Sequence, residues 1–175
     1  MCRFITALVP ADADLAALQA IAQRHGRRLL PTSNPSIERE YGPGLRYCLT
    51  TPEHCDCDTP LGARLRERTK DPVEAAQRMR RKGWSEAKIE RALAQRQSAR
   101  EAHAPSQDPC APWLALIRDV LTQTRSTRFG LLMHWYGGPL EDDIVLSDRQ
   151  SLPLAELNTQ LLGQLRDDVL YEFRR

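Results

Sequence analysis

Cys2-Arg3-Phe4-Ile5-Thr6-Ala7-Leu8-Val9 is a run that, laid out as a strand, is apolar on both sides. Cys2, Phe4 and Leu8 fall on one face and Ile5, Ala7 and Val9 on the other. A strand without a polar face belongs in the middle of a sheet that is covered on both sides. Pro10 and Asp12 cut the run short. Its single charge, at Arg3, is a minimal basic region, and no small-residue cleavage site follows, so it does not read as a secretory signal. No apolar run approaches the roughly 18 residues of a membrane span. The expectation is a cytoplasmic protein with no membrane segment.

Further elements follow from that strand. Asp12 can cap a helix reaching His25, with Leu15, Leu18, Ile21 and Ala22 as its apolar stripe and Gly26 at the C′ position. Arg28–Pro31 reads as a short strand. Pro31-Thr32-Ser33-Asn34-Pro35 and Tyr41-Gly42-Pro43-Gly44 read as loops. Leu45–Thr51 is a strand ended by Pro52. Asp108 and Pro109 open a helix that buries Trp113, Leu116, Ile117, Val120 and Leu121. Arg128–Tyr136 is a second strongly apolar strand, turned by Gly137-Gly138-Pro139, and Asp143–Leu146 suits a short edge strand. From Pro153 to Phe173, leucines recur at helical spacing, which predicts a C-terminal amphipathic helix. With 175 residues, 41% hydrophobic and 27% charged, the chain fits one α+β domain over 1–175.

Residues 63–104 stand apart as a helical-hairpin insertion. Over 63–100 there are twelve Lys/Arg against five Asp/Glu, although the whole chain carries only +2. Asp71-Pro72-Val73-Glu74 has the pattern of a capping box with proline at N1. Gly83 ends the first helix. Ser85 caps the second, and Trp84 can staple onto Ile89. Arg78, Arg80, Arg81, Lys82, Lys88, Arg91 and Arg96 offer a basic surface that could contact nucleic-acid phosphates. Glu86, Glu90 and Glu101 interrupt it. It equally suits an acidic protein partner, as when a toxin is neutralised by an immunity protein, or a plain solvated helix pair.

The order strand, helix, strand, strand, helices, strand resembles the ferredoxin-like split βαβ arrangement. That resemblance implies that the strands starting at Cys2 and Leu45 are antiparallel neighbours, with the strand ending at Tyr136 flanking the first on its other side. Cys2, the loop after Thr51 and His134 would then gather at one sheet edge.

That loop holds the densest chemistry of the chain, His54-Cys55-Asp56-Cys57-Asp58. Soft thiolates with an imidazole suit zinc, or iron, in a tetrahedral sulfur/nitrogen site. Cys55 and Cys57 are the expected ligands, with Cys48, His54, Cys2 and His134 as the candidates to complete the set. An odd number of cysteines and a C-x-C pair too close for an easy internal disulfide fit a reducing compartment. A nucleophilic thiol is the rival reading. Carboxylates beside it would raise its pKa, and they favour a bound cation instead. The start Met1-Cys2 resembles that of N-terminal-nucleophile hydrolases, including amidotransferases. That resemblance spans two residues, and Cys2 reads first as a strand residue.

Overall fold

The computed structural model describes residues 2–42, 44–57, 59, 61–62, 72–102 and 108–175. Six strands form one mixed sheet in the order β2-β3-β1-β4-β6-β5. In chain order they are β1 (Cys2–Pro10), β2 (Leu30–Pro31), β3 (Leu45–Leu49), β4 (Arg128–Tyr136), β5 (Asp148–Pro153) and β6 (Val169–Arg174). Among the described residues these α-helices accompany them: α1 (Leu15–Arg24), α2 (Pro35–Tyr41), α3 (Pro72–Arg81), α4 (Glu86–Ala102), α5 (Ala111–Gln123) and α6 (Thr159–Leu162). No helix among the described residues is long and apolar enough to cross a membrane.

β1 lies in the interior of the sheet, as its two apolar faces require. It pairs antiparallel with β3, Thr6 opposite Leu49, and with β4, Cys2 opposite Tyr136 and Phe4 opposite His134. One face of the sheet packs Ile5, Ala7, Val9, Leu131 and Met133 against Leu18 and Ile21 of α1 and Trp113, Leu116, Ile117 and Val120 of α5. The other face gathers Leu8, Tyr47, Leu132, Tyr136 and Leu170 under Ile37 of α2 and Ile144.

Several elements differ from the sequence reading. Asp14, not Asp12, caps α1, its carboxylate accepting from the amides of Ala16 and Ala17. Gly26 does take the left-handed conformation expected after the helix, φ +67°. Between the loops expected over 31–35 and 41–44 lies a helix that the sequence reading did not assign, α2, capped by the Asn34 side chain with Pro35 in the first turn. Residues 143–146 are not a strand; the edge strand is β5, five residues later in the chain and parallel to β6.

The largest correction concerns the C-terminus, where the single amphipathic helix over 153–173 is absent. Pro153 ends β5, a 3₁₀ turn covers Leu154–Glu156, Asn158 caps the four-residue α6, and Val169–Arg174 is a buried strand between β4 and β5. The leucine spacing arises because Leu157, Leu162 and Leu165 all reach one core from these separate pieces. Val-Leu-Tyr-Glu-Phe at 169–173 is a strand composition, and its place inside the sheet outweighs helical periodicity.

α3 and α4 form the expected hairpin. Gly83 ends α3 at φ +77°, and Trp84 packs with Ala76, Met79 and Ile89 in a small cluster of their own. The start of the basic segment, with the Asp71 cap, lies outside the described residues.

Candidate metal centre

Beyond Leu49 the chain continues along the edge of β1 past the end of β3. The Thr50 hydroxyl donates to the Ile5 carbonyl. The Asp56 amide donates to the Arg3 carbonyl at 2.8 Å. The segment is fastened by Asp56, which is wholly buried. Its carboxylate accepts from the Ile5 amide at 2.9 Å and the Thr51 hydroxyl at 2.5 Å, and it pairs with Arg27 at 2.5 Å. Arg27 is itself buried and lies over the Trp113 ring at 4.5 Å. Asp56 therefore does not stand among the thiols as a carboxylate favouring a cation. It is turned into the core as the anchor of the loop. Asp58 lies outside the described residues.

With Asp56 fixed inward, its two neighbours meet the start of β1. The Sγ atoms of Cys2, Cys55 and Cys57 all lie within 4.8 Å of one another. Cys57 Sγ accepts a hydrogen bond from the Arg3 amide at 3.3 Å. Cys2 is exposed and the other two are half-buried. Four sulfurs on a tetrahedral zinc at about 2.3 Å would stand about 3.8 Å apart, so a small contraction would close the three onto one ion. The cluster can hold a metal ion. At Cys55 the Cys57 backbone amide favours the thiolate. Burial and the crowding thiols of Cys57 and Cys2 outweigh it and push the thiol up. Three thiolates repel one another, and a cation between them removes that penalty.

The remaining sequence candidates lie elsewhere. His54 is exposed and outside the group. Cys48 is buried in the core with Leu29 and Ile21, where desolvation raises its thiol to about 11. His134 is at the same end of the sheet, but its Nδ1 is hydrogen-bonded to the Asp168 carboxylate. Asp168 is the one described non-glycine residue with positive φ, +60°. Its amide donates to the Met133 carbonyl at 2.9 Å, and the amide and hydroxyl of Ser147 donate to its carbonyl. Sequence reasoning missed this partner because Asp168 fell inside the supposed C-terminal helix.

Compared with protein-family models, with characterised proteins and with solved structures, the chain matches none.

Two further residues brace it. The Arg3 guanidinium is buried, donates to the Gly62 carbonyl at 2.8 Å and to Asp167 at 2.9 Å, and lies over the Trp135 ring at 4.4 Å. Gly62 passes so close to the loop that a Cβ there would stand 1.8 Å from the Asp56 carbonyl oxygen. Gly62→Ala must therefore displace backbone. The expected cost is about 3 kcal/mol, the upper end for overpacking. The check is thermal unfolding together with thiol labelling, in which Cys55 and Cys57 should react faster in the variant while Cys48 stays protected. Unchanged stability and labelling would mean that the loop does not depend on this close approach.

The basic residues of the hairpin, Arg78, Arg80, Arg81, Lys82, Lys88 and Arg91, are all exposed. Arg80 forms an ion pair with Glu86 at 2.6 Å, Lys88 lies over Trp84 at 4.3 Å, and Arg91 bonds the Ala87 carbonyl. The Arg96 side chain lies outside the description.

Proposed function

We propose that this chain is a metal-binding protein whose centre is the three thiolates of Cys2, Cys55 and Cys57, with zinc as the ion and the fourth position left to water or an incoming ligand. The observation that carries this reading is the mutual approach of the three Sγ atoms within 4.8 Å from segments far apart in sequence. An all-sulfur set favours zinc or iron over hard cations. Three protein ligands with an open position distinguish a working site from a closed structural one. The support for a ferredoxin-like split βαβ core beneath it is the order β2-β3-β1-β4 with antiparallel neighbours throughout. The cytoplasmic location rests on the odd cysteine count and the C-x-C pair. Elemental analysis of protein purified without chelator is the test, with close to one equivalent of zinc expected. Metal-free protein whose thermal stability ignores added zinc would refute the reading.

The six exposed basic side chains of the hairpin support a second reading, docking onto an acidic partner or nucleic acid. If phosphates are gripped, replacing Arg80, Arg81 and Lys82 by Ala should weaken binding to all sequences about equally and flatten its salt dependence. Filter-binding titrations between 50 and about 200 mM salt would show this. The thermal midpoint should not move, because these side chains are exposed.

A further inference from the structure

Far from the thiols in sequence and on the opposite flank of the sheet, Glu172 of β6 is buried yet ionic. Three arginines from three strands converge on it. Arg149 of β5 donates to its Oε2 at 3.0 Å, Arg174 reaches Oε1 at 2.5 Å, and Arg128 of β4 stands 4.0 Å from Oε2. The register explains the convergence. Arg128 lies directly opposite Arg174, Glu172 opposite Gly130, and Arg149 opposite Leu170, which puts all four side chains on one face. Burial works against the charge on Glu172. The hydrogen bonds from Arg174 and Arg149 outweigh it and hold the carboxyl below its usual range.

One carboxylate cannot balance three guanidiniums, so two positive charges are left over. They are not buried, since the arginines are 34%, 45% and 54% exposed while Glu172 is 2% exposed. Tyr41 lies beside them, its ring 5.1 Å from the Arg149 guanidinium. Its hydroxyl is buried and makes no hydrogen bond among the described residues. A single ion pair would have sufficed to neutralise Glu172. A row of forked donors above a buried carboxylate suits a dianionic tetrahedral group, because guanidinium forks match phosphate oxygens in pairs. Arg128 also donates to the Gly44 carbonyl at 3.4 Å, which holds it beside the other two.

We propose that Arg128, Arg149 and Arg174 form a binding site for the phosphate group of a small molecule, with Glu172 holding the arginines in line from below. The probes are inorganic phosphate and pyrophosphate, titrated calorimetrically into the full chain at constant ionic strength. Saturable binding near one equivalent is expected, with pyrophosphate at least tenfold tighter than chloride-matched controls allow for simple screening. Removing the arginines alone would strand Glu172, so the decisive variant is the triple Arg149→Gln, Arg174→Gln, Glu172→Gln, which keeps side-chain bulk and leaves no buried charge. It should melt as a folded protein and lose binding more than tenfold. Arg166→Ala, which removes an exposed arginine paired with Asp148, should bind as wild type. No saturable binding, equal binding by the triple variant, or binding only by a single-stranded oligonucleotide in a salt-dependent manner would overturn the proposal.

Discussion

Protein in which Cys55 and Cys57 are both replaced by alanine is expected to purify without metal, whereas the unmodified chain is expected to carry about one zinc. Two of three thiolates are then gone, and Cys2 alone cannot hold an ion. Because the ion binds the folded arrangement and not the open chain, its loss is also a loss of stability. With free zinc a thousandfold above the dissociation constant, binding adds about 4 kcal/mol to unfolding. The unmodified protein should therefore gain stability on zinc addition and lose it to a chelator, and the double variant should do neither. Cys48→Ala is the matched control. It removes a thiol from the core, so it should lower stability while leaving the zinc content intact. Zinc retained by the double variant would move the site elsewhere.

The parts of the fold that were legible in sequence are those in which a local pattern and the tertiary outcome agree. β1 and β4 are continuous apolar runs and lie inside the sheet, so their composition and their position make the same demand. The α3–α4 turn is equally local, with Gly83, Trp84, Ser85 and Ile89 within seven residues. The approach of Cys2 to Cys55 and Cys57 could be read in advance because it needs only antiparallel neighbours for β1. The register places Cys2 at the end of the sheet where the segment following β3 must pass.

Other features failed for identifiable reasons. Asn34-Pro35 is both a loop signal and a helix start, and only the packing of Ile37 onto the second face of the sheet selects the helix. The C-terminal leucines have helical spacing, but Asn158 and Gly163 bound a helix of only four residues, and β6 is then drawn in between β4 and β5. The role of Asp56 was hidden because nothing near it in sequence points to Arg27. A carboxylate between two cysteines reads as part of their chemistry until its partner is known.

Asp56→Ala is expected to cost about 3–5 kcal/mol, the range for removing one partner of a buried ion pair. The charge left behind is Arg27, nearly buried and still pressed against Trp113. The Ile5 amide and the Thr51 hydroxyl lose their acceptor as well. Asp56→Asn keeps an oxygen for those two donors but not the charge for Arg27, so it should lie between alanine and the native residue. Urea unfolding in the presence of chelator measures these differences without a contribution from metal. The loop then links stability to the centre. Asp56 fixes where Cys55 and Cys57 stand relative to Cys2, so both variants should also bind zinc more weakly, alanine more than asparagine, in competition with a chromophoric chelator. A variant that unfolds like the native protein would show that the carboxylate is not the anchor. One that is destabilised but binds zinc with native affinity would show that the thiols find the ion without a preformed loop.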